Sequence, residues 1–237
     1  MLWREIEESL IGLRELFFPR SCCVCGLPLE RGEVDFCLEC FSDIPLTYFW
    51  DWEDNPLRRR LEEKCNVGYG ASLFHFRRDS PYHYLMHRIK FEGGRRLGYR
   101  LGYLLGLYLK DGAGFGPVDV IVPVPLHPLR RFRRGYNQSQ VIASGIAAAL
   151  GVPVCPGLLK RCRWTRPQSR ISGSGKSRNV ERAFRTDCVQ AEKLKDRGFR
   201  HILLVDDTIT TGSTISECVK VLPSFFKVGV ASLAFVG

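Results

Sequence analysis

The sequence predicts an α/β protein with a parallel sheet flanked by helices and a small N-terminal metal-binding module. Two strand–loop–helix patterns predict the sheet, one beginning at residue 118 and the other at residue 202. Each opens on a short apolar run of the kind that parallel sheets bury on both faces. Two Cys-x-x-Cys pairs, Cys22 with Cys25 and Cys37 with Cys40, predict the metal-binding module.

The pattern at residue 202 carries the chemistry on which the functional prediction depends. Apolar residues from Ile202 to Val205 form the strand, Asp206 and Asp207 follow, and a run rich in Thr, Gly and Ser leads into a helical pattern. Open α/β sheets bind ligands at the carboxyl ends of their strands, and N–H groups at a helix N-terminus bind phosphate. Two carboxylates suit a pair of sugar hydroxyls, or Mg²⁺ held through waters. The stretch therefore predicts a pocket for a ribose 5-phosphate group.

This stretch resembles the phosphoribosyl-pyrophosphate (PRPP) motif of type I phosphoribosyltransferases. The resemblance implies a type I phosphoribosyltransferase-like sheet, with Asp206 and Asp207 on the ribose 2′- and 3′-hydroxyls and the following loop on the 5′-phosphate. The alternative is an Asp-Asp turn that only caps a helix, but the whole run from apolar strand to helix favours the ligand site. The PRPP-binding residues expected from it are Asp206, Asp207, Thr208, Thr210, Thr211, Gly212, Ser213 and Thr214.

The pattern at residue 118 places a basic loop at the same edge of the sheet. A strand from Val118 to Val124 runs into a proline-rich turn and then a run of arginines, and a helix follows. Pyrophosphate, or another polyanion, is the ligand expected there. The candidate residues of this loop are Arg130, Arg131, Arg133, Arg134 and Asn137.

Residues 158–185 are hydrophilic and basic, and Gly173 to Gly175 lie near their middle. A long polar segment beside a phosphate pocket predicts an active-site lid, and plain disorder is the alternative. The candidate lid residues are Arg161, Arg163, Gln168, Arg178 and Asn179.

The two Cys-x-x-Cys pairs are separated by eleven residues. Each pair directs two thiolates at one point, so together they predict a closed tetrahedral Zn²⁺ site with a structural role. Cys23 is an alternative to Cys22, but it breaks the two-residue spacing to Cys25. The module is acidic, which favours scaffolding or docking over direct contact with nucleic-acid phosphates.

The charge of the chain is unevenly distributed. The net charge is +10, yet residues 1–68 carry 8 basic and 14 acidic residues, whereas residues 121–185 carry 13 basic residues and a single acid. So concentrated a basic segment predicts a polyanionic partner, either a phosphorylated small molecule or nucleic acid.

The sequence predicts two domains and a cytoplasmic location. Residues 1–66 comprise an amphipathic helix, the zinc-ribbon-like Cys₄ module and a linker with an aromatic cluster and a bridging helix, and residues 67–237 form the phosphoribosyltransferase-like domain. No stretch approaches the roughly 20 apolar residues of a membrane span. The first residues include three glutamates, which is the wrong chemistry for a signal peptide, so we expect no membrane association.

Several of these motifs in this order resemble the ComF family of double-zinc-ribbon, phosphoribosyltransferase-like proteins. The motifs are the double Cys-x-x-Cys, Ile89 to Gly93, Pro123 to Pro128, Arg134 to Ser139, Thr165, Gln168, Arg178 to Val180 with Ala183 and Phe184, and the stretch at 202–214. The resemblance covers almost the whole chain and implies a role in DNA uptake during natural transformation (competence). Members are often described as predicted amidophosphoribosyltransferases, and the resemblance does not fix the reaction.

The first functional hypothesis is an Mg²⁺-dependent phosphoribosyltransferase that transfers the pentosyl group of PRPP by positioning and charge stabilisation. The motif contains no strong nucleophile or general base, so catalytic residues and the acceptor stay unassigned. Purine-salvage relatives have Asp where this chain has Thr210, which argues against purine salvage. An amidophosphoribosyltransferase-like metabolic enzyme is a further alternative, although no glutaminase domain is recognised and the N-terminal cysteines are assigned to zinc.

The second hypothesis is a non-catalytic protein that binds single-stranded DNA or serves as an adaptor for a competence helicase. The basic segment would hold the phosphate backbone, and the Cys₄ module would dock the helicase. Phe132, Tyr136 and Trp164 lie among the arginines and either stack on bases or belong to the core.

Overall fold

The computed structural model describes residues 20–91, 94–127, 129, 132, 134–162 and 183–237. The helices of these residues are α1 (Leu38–Ser42), α2 (Pro56–Glu62), α3 (His83–Phe91), α4 (Arg95–Asp111), α5 (Gln138–Leu150), α6 (Cys188–Asp196) and α7 (Ser213–Val221). The strands are β1 (Tyr69–His75), β2 (Val120–Pro123), β3 (Leu159–Arg161), β4 (Phe184–Thr186), β5 (His201–Ile209) and β6 (Lys227–Phe235). None of the described helices is both long and apolar enough to cross a bilayer.

Four strands form one parallel sheet in the order β1-β6-β5-β2. The apolar run Ile202 to Val205 lies on β5, between two neighbouring strands, and is fully buried. Burial on both faces explains why this strand is continuously apolar rather than alternating. The predicted fold class, a parallel α/β sheet flanked by helices and preceded by a small Cys₄ module, is confirmed.

Strand β5 runs four residues further than its apolar pattern indicates. It continues through both aspartates because β6 keeps pairing with it, with Asp206 opposite Ser232 and Ile209 opposite Phe235. The hydrogen-bonded ladder therefore fixes the backbone that carries the carboxylates. Only residues 210–212 remain as a loop between β5 and α7.

Helices α4 and α5 pack against each other with their backbones in contact. A Cβ added at Gly145 would lie 2.1 Å from the carbonyl oxygen of Tyr99, and one at Gly102 would lie 2.4 Å from that of Ile142. No side chain fits at either position, so glycine is what allows this approach. The close packing fixes the side chains that flank the contact.

The segment between the Cys₄ module and β1 packs onto the sheet. Buried Asn55 caps α2 by accepting hydrogen bonds from two backbone N–H groups, and its amide donates to the carbonyl oxygens of Phe49, Trp52 and Gly70. Trp50 stacks on Tyr108 of α4 with ring centroids 4.5 Å apart. The bridging helix expected here is present. In the aromatic cluster Phe49 and Trp50 are buried, whereas Tyr48 and Trp52 are exposed. The division between residues 66 and 67 stays a prediction.

The two ends of the predicted lid form a ribbon. Strands β3 and β4 pair antiparallel, and they bury Leu159 and Phe184. Residues 163–182, which make up the rest of that prediction, lie outside the described residues.

Candidate functional site

The site is built around the two adjacent carboxylates at the end of β5. Asp206 Oδ1 accepts hydrogen bonds from the Ser139 hydroxyl on α5 at 3.0 Å and from the Asp207 backbone N–H at 2.8 Å. Asp207 Oδ2 lies 3.3 Å from Nζ of Lys90 on α3, and the same ammonium lies 3.4 Å from the Thr208 hydroxyl. The pair is thus held between two helices.

The environment of Asp206 makes its charged form costly. Burial is the largest cause, and the neighbouring charge of Asp207 adds to it, while the Asp207 N–H, the Ser139 hydroxyl and Lys90 act in the opposite direction. The net result raises the pKa of Asp206 to about 7. A carboxyl group whose pKa is near neutral pH changes its charge readily when a ligand brings hydroxyl donors or a cation.

A short polar loop adjoins the carboxylates. Gly212 is the N-cap of α7 and has a φ of +73°, a conformation that favours glycine. The N-cap residue supplies no side-chain cap, and the Ser213 N–H lies 3.5 Å from the Thr211 hydroxyl. The N–H groups of Thr214 and Ile215 have no partner among the described residues and are available for an anion. One small polar pocket joins the carboxylate to the loop, and its lining is Asp206, Thr208, Ile209, Thr210, Thr211, Gly212, Ser213, Thr214 and Ile215. The structure thus places all the predicted PRPP-motif residues except Asp207 around one pocket, and Asp207 lies next to it on β5.

Two basic residues near α2 hold this loop from the other side of the site. Arg60 donates to the carbonyl oxygen of Thr210 at 2.6 Å and to that of Val236, and Lys64 donates to the carbonyl oxygen of Thr211. Leu61 fills the space beside Gly212, where an added Cβ would lie 2.6 Å from its side chain. These contacts hold the loop by its carbonyl oxygens. The N–H groups of the loop therefore face away from Arg60 and Lys64.

Sequence reasoning missed four residues of the site: Arg60, Lys64, Lys90 and Ser139. Lys90 and Ser139 lie within stretches that carry the family resemblance, and that was the available signal. Arg60 and Lys64 lie about 150 residues from the loop they contact, at separations of 150 and 147. Their spacing places both on one helical face, but nothing local indicates what that face contacts.

The described members of the predicted basic loop have local partners. Asn137 caps α5 through the Ser139 N–H at 3.2 Å and donates to the Val124 carbonyl oxygen at 3.0 Å. Arg134 donates to Gln138 at 3.1 Å, and its guanidinium lies 5.1 Å from the ring of Phe91. Asn137 thereby positions the turn that brings Ser139 to Asp206. Three members lie outside the described residues, namely Arg130, Arg131 and Arg133.

Of the predicted lid residues, the structure describes Arg161 alone. It lies on β3, and its guanidinium is 5.1 Å from the ring of Phe184 on β4. This contact lies within the ribbon at the base of the segment. The others lie outside the described residues, namely Arg163, Gln168, Arg178 and Asn179.

The predicted metal ligands converge. The sulfur atoms of Cys22, Cys25, Cys37 and Cys40 all lie within 4.8 Å of one another, and those of Cys25 and Cys37 are 3.8 Å apart. A tetrahedron with Zn–S bonds of about 2.3 Å has sulfur–sulfur edges of about 3.8 Å. The cluster is therefore compatible with a structural zinc ion.

Backbone N–H groups support the charged form of these thiols. Those of Val24 and Cys40 lie 3.4 Å and 3.5 Å from the sulfurs of Cys22 and Cys37. Burial alone would raise the pKa of Cys22, but hydrogen bonds from the backbone of Cys25, Cys37 and Val24 outweigh it and lower this pKa to about 6. Metal-binding thiolates need this kind of support. The backbone N–H of Cys40 lowers the pKa of Cys37, but burial and the neighbouring thiols outweigh this support, so that the pKa is raised. Burial and the neighbouring thiols also raise the pKa of Cys40.

Cys23 is not part of the cluster. Its sulfur lies 3.1 Å from a guanidinium nitrogen of Arg88 on α3, so the geometry selects Cys22 over the alternative. The Tyr82 hydroxyl donates to the carbonyl oxygen of Cys40 at 2.8 Å. The Cys₄ module is thus attached to the helix that carries Lys90.

Comparison with known proteins places the chain in a family. It is 33% identical over 222 residues to DNA utilization protein YhgH of Escherichia coli (strain K12), a match that covers 87% of this chain and 92% of that protein. It is 32% identical over 160 residues to Competence protein F of Haemophilus influenzae, covering 66% of this chain and 67% of that one. The chain belongs to the ComF family. The match to YhgH of Salmonella typhi, 34% identical over 145 residues, covers 60% of this chain and 61% of that relative.

Other comparisons add little to the ComF assignment. No family model matches the chain. A solved structure of the allosteric regulatory enzyme of purine biosynthesis aligns with a TM-score of 0.33 at 20% identity, covering 58% of this chain and 26% of that one. At this TM-score the likeness carries no argument about the ComF chain.

We predict that this ComF-family protein, purified without chelator, carries about one zinc ion per chain. Cys37→Ser should lose most of the metal, because three thiolates leave the tetrahedron open. Cys188→Ser changes an exposed cysteine of α6 and is the matched control, which should keep its zinc. Elemental analysis by mass spectrometry measures both, and a Cys37→Ser protein with unchanged zinc would contradict the ligand set.

The raised pKa of Asp206 predicts a pH-dependent cost in stability. Below pH 3.8, the ordinary pKa of an aspartate, this carboxyl is protonated in both the folded and the unfolded protein. The free energy of unfolding then falls as the pH rises from 3.8 through about 7, because the unfolded chain ionises the carboxyl more easily than the folded protein does. Asp206→Asn should therefore lose less stability than the wild type between pH 5 and pH 8. Thermal melts at several pH values measure this, with Asp196→Asn at an exposed aspartate as control; parallel curves for wild type and Asp206→Asn would contradict it.

Proposed function

We propose that this protein binds PRPP, or another ribose 5-phosphate-containing ligand, in a type I phosphoribosyltransferase-like domain and acts in DNA uptake or use. The observation that carries the proposal is the single pocket shared by the Asp206 carboxylate and the uncapped start of α7. One half of this pocket suits a sugar diol, and the other half suits a phosphate. Few other small ligands present both groups at such close range.

In this proposal the chain's own residues bind and orient the sugar. Asp206 and Asp207 accept hydrogen bonds from the ribose hydroxyls, while the Lys90 ammonium, 3.3 Å from Asp207 Oδ2, holds the Asp207 side chain by an ion pair. The N–H groups after Gly212 bind the 5′-phosphate. The carbonyl oxygens of the same loop accept hydrogen bonds from Arg60 and Lys64, so the ligand meets the N–H groups. Magnesium, bound together with the pyrophosphate, would supply charge neutralisation.

The reaction class that fits this pocket is transfer of the pentosyl group, driven by positioning and charge stabilisation. The pocket lining offers hydroxyl, carboxyl and backbone groups but no thiol, imidazole or amine within the described residues. An external acceptor must then supply the nucleophile. Thr210 replaces the aspartate of purine-salvage relatives, so we propose an acceptor outside that class.

The names of the relatives support the DNA part of the proposal. Competence protein F and DNA utilization protein YhgH are named for the uptake and use of DNA. Residues 69–237 carry 27 basic and 11 acidic residues, a balance that suits a nucleic-acid partner. Single-stranded DNA binding is therefore a second function for the same domain. Docking of a competence helicase on the Cys₄ module stays a prediction.

Isothermal titration of Mg²⁺-PRPP tests the ribose-phosphate proposal. The double variant Asp206→Asn/Asp207→Asn should bind at least tenfold more weakly than the wild type, because hydrogen bonds to charged groups contribute about 1.5–3 kcal/mol. Asp196→Asn is the matched control and should bind as the wild type does. Absence of binding at millimolar PRPP by a folded, zinc-loaded protein would rule the proposal out.

A further inference from the structure

A second concave surface lies between helices α4 and α5, and its lining shares no residue with the carboxylate pocket. It encloses about 540 Å³. We call it the arginine–tyrosine groove, and its lining is Arg95, Arg96, Tyr99, Arg100, Val141 and Ser144.

The exposed face of α4 is unusual in charge and composition. Over its 17 residues the helix carries four basic residues and one acid, Asp111 at its end. Arg96 and Arg100 are one turn apart, and so are Tyr99 and Tyr103, so cations and rings alternate along one side of the helix. Tyr99 is 42% exposed and Tyr103 is 41% exposed. A solvated face of a stable helix would mix both signs of charge, whereas this one presents cations and aromatic rings.

Close helix packing and hydrogen bonds hold most of the groove's side chains in place. The Gly145 and Gly102 contacts lock α4 against α5 directly beneath it. Arg95 donates to the Gly135 carbonyl oxygen at 2.8 Å, and Arg100 pairs with Asp35 of the Cys₄ module at 2.8 Å, which fixes two of the three guanidinium groups. The Arg96 side chain makes no hydrogen bond or ion pair with the described part of the chain and remains available.

Two more exposed aromatic rings lie in or beside the arginine-rich segment. Phe91, at the end of α3, is 63% exposed and lies under the guanidinium of Arg134. Phe132, within that segment, is 89% exposed. A ligand that carries both negative charges and flat rings would contact cations and aromatic side chains together.

We propose that the arginine–tyrosine groove binds single-stranded nucleic acid, with the arginines on phosphates and Tyr99, followed one turn along α4 by Tyr103, stacked on bases. Single strands expose their bases for stacking and duplexes do not, and arginine with aromatic side chains is the pairing that such sites use. An acidic peptide would use the arginines but leave the rings uncovered. The choice of DNA rests on the proposed function in DNA use. The cations of this groove come from α4, whereas the sequence placed the polyanion site on the basic segment 121–185, which contributes only Val141 and Ser144 to the lining.

Fluorescence anisotropy of a labelled 20-nucleotide oligo-dT tests this proposal in the full-length protein. Arg96→Glu/Tyr99→Ala should weaken binding at least tenfold and reduce its salt dependence, since one phosphate contact is lost. Tyr99→Phe keeps the ring and should bind close to wild type, while Tyr99→Ala alone should bind several-fold more weakly. Arg197→Glu, at an exposed position after α6, is the charge-matched control and should have a smaller effect.

Three outcomes would overturn the groove proposal. They are unchanged oligo-dT binding by Arg96→Glu/Tyr99→Ala, equal binding of a 20-base-pair duplex, and binding of a Glu-rich peptide as tight as that of oligo-dT and insensitive to Tyr99→Ala. Mg²⁺-PRPP affinity and the thermal melt of each variant serve as folding controls and should be unchanged. If the wild type binds oligo-dT through the groove but does not bind Mg²⁺-PRPP, the ribose-phosphate proposal is ruled out and the groove proposal is not.

Discussion

Two adjacent carboxylates at the end of the central strand set the conditions that the surrounding structure must meet. Like charges this close in a partly buried setting repel each other, so neighbouring elements must bring compensating groups. Lys90 comes from α3, Ser139 comes from α5, and the backbone N–H of Asp207 comes from β5 itself. Both helices are therefore positioned so that each places one compensating side chain beside the carboxylates. The compensation is incomplete, because burial and the charge of Asp207 still raise the pKa of Asp206 to about 7.

The N-terminal part of the chain is connected to this site by two routes. Arg60 and Lys64 hold the loop before α7 by its carbonyl groups, and Leu61 packs against Gly212. The hydroxyl of Tyr82, which directly precedes α3, donates to the Cys40 carbonyl oxygen, and α3 carries Lys90. A metal ion that orders the Cys₄ module would thus stiffen one wall of the pocket. The module is a structural support of the site as well as a candidate docking surface.

The elements that could be predicted from the sequence were those written in local patterns. The buried strand at Ile202 to Val205, the helix α7 that follows it and the paired Cys-x-x-Cys motifs each follow from residues close together in the chain. The extension of β5 could not be predicted, because it depends on pairing with β6 some 26 residues later. Arg60 and the arginine–tyrosine groove were missed for the same reason, since periodicity shows which helical face is polar but not what that face adjoins.

In the proposed function the carboxylate pair recognises a sugar diol, and the basic domain does more than attract phosphate. Calorimetric affinities for ribose 5-phosphate and 2-deoxyribose 5-phosphate, which differ by a single hydroxyl, distinguish these two possibilities. The account predicts at least a tenfold preference for ribose 5-phosphate in the wild type, because a hydrogen bond to a charged acceptor is lost in the deoxy sugar. The preference should largely vanish in Asp206→Asn/Asp207→Asn. Equal affinities for the two sugars in the wild type would contradict it.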